Sequence, residues 1–137
     1  MKVFLDTSAL IAYFTKQETH HEKVVSAYNF YRKEKAQFFT SDYVIDELLT
    51  WFSSYQSKHF TETLIEALGK MRANGEIQIL FIDESIFEKA IEILLKFFEH
   101  KISFTDATIY ILYKDYAIDE IFTLDKDFKR MRLATSF

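Results

Sequence analysis

The sequence predicts an α/β fold: one three-layer domain over residues 1–137, with a central parallel sheet flanked by helices. Two observations carry this expectation. Short β-prone segments alternate with pairs of helical segments in the order β-α-α-β-α-α-β-α-α-β, and parallel strands need such crossovers. Two of the strands also run directly into acidic turns: Lys2-Val3-Phe4-Leu5 into Asp6-Thr7-Ser8, and Ile121-Phe122-Thr123 into Leu124-Asp125-Lys126-Asp127. In a parallel sheet the strand ends share one edge, and that edge is where such folds bind ligands.

The elements follow in order. After the first strand, a short apolar helix reaches about Phe14, and a second starts near Glu18 or Thr19. Val24, Ala27, Tyr28 and Tyr31 repeat there at helical spacing, and Lys33 to Lys35 supply the positive charge that suits a helix end. Gln37 to Thr40 reads as a strand, with Ser41-Asp42 capping the helix that follows. On that helix Val44, Leu48, Trp51, Phe52 and Tyr55 form one apolar side at about 100° per residue. Glu47 lies on the border of this stripe, whereas Asp46 points nearly opposite, as a solvated acid would.

Phe60 to Ala73 is helical, and Gly75 is its left-handed cap. Ile77 to Ile82 is an apolar run, the mark of a strand covered on both faces. Asp83 opens a helix carrying Phe87, Ala90, Ile91, Leu94, Leu95 and Phe98. The segment after Ser103 is apolar almost all round, and so reads as a buried helix.

Composition narrows the chemistry. With 137 residues and 49% hydrophobic content the chain suits one domain. It has two glycines, which excludes a P-loop, a dinucleotide fingerprint and a serine-hydrolase elbow. There is no cysteine, so neither a disulfide framework nor a thiolate site, and the four histidines lack zinc-binding spacing. No run approaches the roughly 20 apolar residues of a membrane span. No secretory leader is expected either, since Asp6 interrupts the first apolar segment, and a cytoplasmic location is expected. Net charge is −4, from 17 basic and 21 acidic residues, so overall charge does not draw the protein to nucleic acid.

Carboxylates remain. Asp6 and Asp125 follow strands and could each be a helix N-cap; Ser103-x-x-Asp106 reads as a capping box. Yet an acid at the mouth of a buried helix, near two others, is costly unless something positive joins it. No lysine or arginine is obviously placed to do so. Glu47 is not at a cap at all. Asp6, Glu47, Asp106 and Asp125 are therefore the expected ligands of a hard divalent cation, Mg²⁺ or Mn²⁺. Asp127 is a lesser alternative to Asp125, and position alone does not exclude Asp83.

The blocks FLDTSALIAY, SDYVIDELL and SFTDATIYILYKDYAIDEIFTLDKDF resemble the three signature blocks of the PIN-domain family, along the whole chain. The resemblance implies a metal-dependent endoribonuclease with Asp6, Glu47, Asp106 and Asp125 as its ligand and catalytic positions. Ser8 and Thr123, and with them Thr7, match supporting hydroxyl positions. The small size resembles the VapC-type toxins of toxin–antitoxin pairs, which implies an antitoxin partner. One or two cations would assist in-line hydrolysis of RNA.

The nearest cations for guiding RNA are Lys16, Lys126, Lys129, Arg130 and Arg132, and Tyr13, Phe14 and Trp51 are candidates for base stacking. The 15 Phe and 8 Tyr exceed what one small core readily buries. A homodimer interface or an antitoxin groove is therefore expected, with Trp51, Phe52, Tyr55 and Phe60 as its candidates. The rival readings are a non-catalytic PIN-like module that binds RNA or protein, and a housekeeping RNA-processing nuclease. A phosphoryl-receiver domain would want adjacent acids after the first strand, where Asp6 stands alone.

Overall fold

Four short strands form one fully parallel sheet in the computed structural model, which describes residues 1–137. They are β1 (Lys2–Leu5), β2 (Gln37–Ser41), β3 (Ile77–Leu80) and β4 (Glu120–Phe122). Seven helices flank the sheet: α1 (Thr7–Phe14), α2 (His21–Lys33), α3 (Asp42–Tyr55), α4 (Lys58–Ala73), α5 (Glu84–Lys96), α6 (Phe104–Asp115) and α7 (Asp127–Arg130). A single 3₁₀ turn, Phe98–His100, precedes α6.

The spatial order is β3-β2-β1-β4. The chain starts in the interior of the sheet, steps outward through β2 to β3, then crosses back to the far side of β1. Right-handed crossovers then place α1–α4 on one face and α5–α6 on the other. Packing agrees: α1 touches α2 and α3, α3 touches α4, and α5 lies along α6. The reversal of direction falls between β1 and β4. In a parallel sheet that is where a crevice opens beyond the carboxyl ends of the strands.

The core explains why the sheet holds. Phe4 and Leu5 on β1, Ile121 and Phe122 on β4, Leu48 on α3, Ile109 and Leu112 on α6, and Phe128 on α7 are all fully enclosed. Each such side chain contributes about 1.5–3 kcal/mol by leaving water. Tyr28 stacks on Phe38 at 4.6 Å between ring centres, fastening α2 to β2. Caps fall where the sequence places them. The Ser41 hydroxyl accepts from the Val44 N–H at 3.2 Å, and Gly75 takes φ +74° after α4.

Three expectations shift. Helix α2 starts at His21, because residues 16–20 turn back on themselves first: Glu18 N–H bonds to the Thr15 carbonyl. β3 is not covered on both faces. It is an edge strand, with Gln78 exposed and Phe81 beyond it 57% exposed. β4 ends at Phe122, so Thr123 stands just past the strand, free to point along the sheet edge. The last residues reinforce β4 from its open side. Ile121 N–H bonds to the Ala134 carbonyl at 2.9 Å, and Ser136 N–H to the Ile121 carbonyl at 3.0 Å. No helix is long and apolar enough to cross a membrane.

Candidate metal centre

Strand register assembles the site. Leu5 on β1 pairs with Phe122 on β4, so the next residues along, Asp6 and Thr123, stand side by side. The Thr123 hydroxyl donates to Asp6 Oδ2 at 2.7 Å, and the Ser8 hydroxyl donates to the same oxygen at 3.1 Å. Backbone groups orient both hydroxyls: Asp125 N–H donates to Thr123 Oγ1 and Leu124 N–H to Ser8 Oγ, each at 2.9 Å. Asp6 occupies the N-cap position of α1 but makes no capping bond. Its carboxylate is turned towards β4, which disposes of the simple N-cap reading.

Glu47 reaches the same place from α3. It is half-buried and accepts the Thr7 hydroxyl at 2.7 Å. Asp106 does close the capping box. Its Oδ2 accepts Ser103 N–H at 3.1 Å, and its own N–H donates to Ser103 Oγ at 3.0 Å. The cap and the cleft are compatible: the same buried carboxylate bonds Ser103 N–H and lines the cleft. Asp125 Oδ1 accepts Asp127 N–H at 2.9 Å, bending the chain back after the strand.

Asp106, Asp125 and Asp127 each bring one carboxylate oxygen into a group whose members lie within 4.8 Å of one another. Asp127, the lesser alternative at the sequence level, is therefore beside Asp125 and not instead of it. Asp6 and Glu47 line the same open cleft of about 740 Å³ outside that tight group. Asp46 also borders it, from an exposed position. Asp83 is elsewhere: its carboxylate caps α5, accepting Ile86 N–H at 2.9 Å.

The electrostatics of this cleft are lopsided. The ion pairs of the molecule are Arg32–Glu76, Lys89–Asp115 and Arg130–Asp127, and none involves Asp6, Glu47, Asp106 or Asp125. Burial pushes the Asp6 carboxyl up to about 6, with the charge of Asp125 adding to it, although the Thr123 and Ser8 hydroxyls pull the other way. Burial likewise pushes Asp106 up to about 7, aided by the charges of Asp6 and Asp125 and opposed by its bonds to Ser103. Such groups resist ionising unless a positive charge arrives. An all-oxygen, all-anionic donor set with this deficit fits a hard divalent cation and does not fit a thiolate- or imidazole-loving one.

The expected RNA-guiding cations do not gather here. Lys16 lines a separate apolar pocket with Phe14, Phe52, Phe60 and Leu64. Arg130 is paired with Asp127 at 3.2 Å, while Lys126, Lys129 and Arg132 are exposed away from the cleft lining. The one cation that does line it is Lys101, which the sequence reading missed. Its signal was faint: a lysine two residues before the Ser103 cap, in a turn too short to declare its conformation. Among the aromatics, Tyr13 and Phe14 pack against each other at 4.9 Å, and Phe52 is core at 3% exposure. Trp51 and Tyr55 border the cleft.

Together the fold and this edge define a class: a parallel α/β protein with carboxylates gathered at its switch point, of which only Asp127 has an ion-pair partner. Residues 3–133 match the PIN domain family, and the chain belongs to it. In sequence, no curated protein matches the chain. In structure it is similar to VapC20 of Mycobacterium tuberculosis, described as a sarcin–ricin-loop-cleaving toxin, with a TM-score of 0.80 and 20% identity over 96% of each chain. It is similar to VapBC2 of Rickettsia felis, solved with a DNA fragment of its promoter, with a TM-score of 0.76 and 15% identity over 99% of this chain and 98% of that one. FitAcB of Neisseria gonorrhoeae gives a TM-score of 0.70 and 20% identity over 97% and 95%.

Proposed function

We propose that this chain is a metal-dependent endoribonuclease, the toxin of a VapBC-type toxin–antitoxin pair acting in the cytoplasm. The observation that carries the reading is the convergence of Asp6, Glu47, Asp106 and Asp125 on one cleft with no ion pair to any of them. Membership of the PIN domain family supports it, as do the toxins among the structural neighbours.

Asp6 and Asp106 are the central ligands in this reading, with Glu47 and Asp125 completing the set and Asp127 beside them. A bound Mg²⁺ or Mn²⁺ supplies Lewis acidity at the scissile phosphate and lowers the pKa of the attacking water. The residues of the chain do the positioning. Thr123 and Ser8 hold one oxygen of Asp6, which leaves its other oxygen without a side-chain partner. Thr7 holds Glu47 at the rim. Ser103 fixes Asp106 through the capping box, and the Asp125–Asp127 turn sets the last pair.

Two protein partners belong to the same reading. An antitoxin segment that placed an arginine among the carboxylates would satisfy their charge bidentately and so inhibit. The second is another copy of the chain, with Phe87, Ile91 and Leu95 on the exposed side of α5 as the contact. A Leu95→Lys variant that stays dimeric by light scattering would remove α5 from that role.

The test of the enzyme reading is cleavage of RNA by the purified chain with Mn²⁺, with EDTA and Asp106→Asn as controls. Cleavage should need the metal and vanish in the variant. Intact RNA in the presence of Mn²⁺, with binding retained, would leave a non-catalytic RNA-binding module.

A further inference from the structure

The peptide that joins Leu5 to Asp6 is where β1 stops and the acid cleft starts, and it is gripped from both sides. Its N–H, that of Asp6, donates to the Phe122 carbonyl on β4 at 3.1 Å. Its carbonyl, that of Leu5, accepts the Thr40 hydroxyl from β2 at 2.9 Å. The register of β1 with β2 runs only as far as Phe4 and Phe39, so a side chain carries the contact one residue further. A peptide unit is planar, and a hold on its two opposite ends fixes the direction in which the chain enters the next residue. That residue is Asp6.

Thr40 itself is fully buried and takes no part in lining the cleft. A hydroxyl in such a place needs a reason. Valine has the same shape, suits a strand as well, and brings no polar group to desolvate. What threonine adds is the bond to the Leu5 carbonyl. The next residue, Ser41, is also fully buried, and its hydroxyl accepts Val44 N–H at the start of α3, the helix that brings Glu47. The end of β2 is thus bonded to both of the elements that deliver Asp6 and Glu47.

We propose that Thr40 is a positioning residue for the metal centre: its hydroxyl sets the tilt of the Leu5–Asp6 peptide and so aims the Asp6 carboxylate at the cation. This rests on the metal-dependent reading of the cleft and adds to it a residue that lies outside the cleft lining. Thr123 and Ser8 hold the carboxylate, and Thr40 holds the backbone from which it extends. Without that hydroxyl the peptide hinges on its bond to Phe122, and Asp6 Oδ2 draws away from its 2.7 Å bond to Thr123.

The experiment measures Mn²⁺ binding to the EDTA-stripped chain by calorimetry, with thermal melting of the same samples. Thr40→Val should raise the Kd for Mn²⁺ about tenfold. Thr40→Ser keeps the hydroxyl but removes a buried methyl, so it should melt lower than wild type and yet bind Mn²⁺ equally well. Thr40→Ala, set against Thr40→Ser, repeats the comparison at smaller size and should bind as weakly as the valine, even if the valine variant fails to fold. Metal affinity that follows the hydroxyl and not the melting temperature is the signature of positioning. A crystal structure of Thr40→Val should show the Asp6–Thr123 bond lengthened.

A wild-type Kd for Mn²⁺ in Thr40→Val or Thr40→Ala, or a Thr40→Ser protein as weak as either, would overturn the proposal and leave Thr40 as core alone. A wild type that takes up no Mn²⁺ would overturn it together with the metal reading. Cleavage of RNA, run alongside, keeps it apart from the nuclease reading: hydroxyl-dependent Mn²⁺ binding with RNA left intact would sustain the positioning role and sink the ribonuclease.

Discussion

The two ends of the sheet treat acidic residues in opposite ways. At the amino ends of the strands, acids meet partners. Glu76 before β3 pairs with Arg32 at 3.5 Å, Asp119 before β4 accepts the Lys2 N–H at 2.7 Å, and Glu120 accepts the Tyr31 hydroxyl at 3.0 Å. At the carboxyl ends, Asp6, Glu47, Asp106 and Asp125 accept only hydroxyls and backbone N–H groups, and two of them are pushed well above the carboxylate range by burial. Both ends carry several acids. What distinguishes the functional end is the missing counter-charge, which a fold selected for stability alone would have no reason to keep.

The largest break in that comparison comes from removing a charge at the deficient end. Asp106→Asn should abolish cleavage in a gel assay while leaving the metal-free protein as stable as wild type or more so, because crowding of like charge is relieved and the amide oxygen still accepts Ser103 N–H. Asp106→Ala should also be inactive but lose about 1 kcal/mol in denaturant titration, the worth of the cap. Next in size is Thr123→Val. Without its hydroxyl Asp6 is free to turn, and Mn²⁺ affinity measured by calorimetry should fall about 10- to 100-fold.

The pH response sharpens the same contrast. Asp6 and Asp106 titrate near 3.8 when unfolded but near 6 and 7 when folded, so between those values the folded state holds more protons. Stability of the metal-free protein is then greatest in acid and falls as pH rises from about 4 to about 7, by roughly 3 kcal/mol for the Asp6 shift alone. Melting scans after EDTA treatment should show a lower Tm at pH 8 than at pH 5, with Mn²⁺ closing the gap. The smallest effect belongs to the paired end. Glu76→Gln breaks an ion pair whose arginine is 58% exposed. It should cost at most about 1 kcal/mol and leave cleavage unchanged.

Much of this could be read from the residues. β1 and β4 announce themselves because each is a short apolar run that stops at an acidic turn, and Glu47 because it interrupts the rhythm of an apolar stripe. The parallel topology then brings those turns to one edge without further information. Other features depend on facts that spacing does not carry. The open face of β3 follows from its place in the strand order, and Gln78 alone was a weak hint of it. Asp125 and Asp127 looked like rivals because a strand ending fixes one residue well. It took the bend that the Asp125 carboxylate makes with the Asp127 N–H to bring both to the cleft. The charged run Lys126 to Arg132 reads as a set of guiding cations, but α7 coils that run so that Arg130 turns back on Asp127. Lys101 is placed by a left-handed residue, and nothing in its neighbours' side chains encodes that turn.

The seam between β4 and residues 134–136 has a practical consequence. Beyond the backbone bonds at Ile121, the Ser136 hydroxyl accepts the Thr123 N–H at 3.3 Å, and Phe137 rests on Phe122 at 5.9 Å between ring centres. A protease that clipped the chain after Leu133, or a fusion that tugged the segment loose, would unfasten the outer rail of the strand from which Thr123 reaches Asp6. Activity would be lost with every acidic side chain still in the sequence.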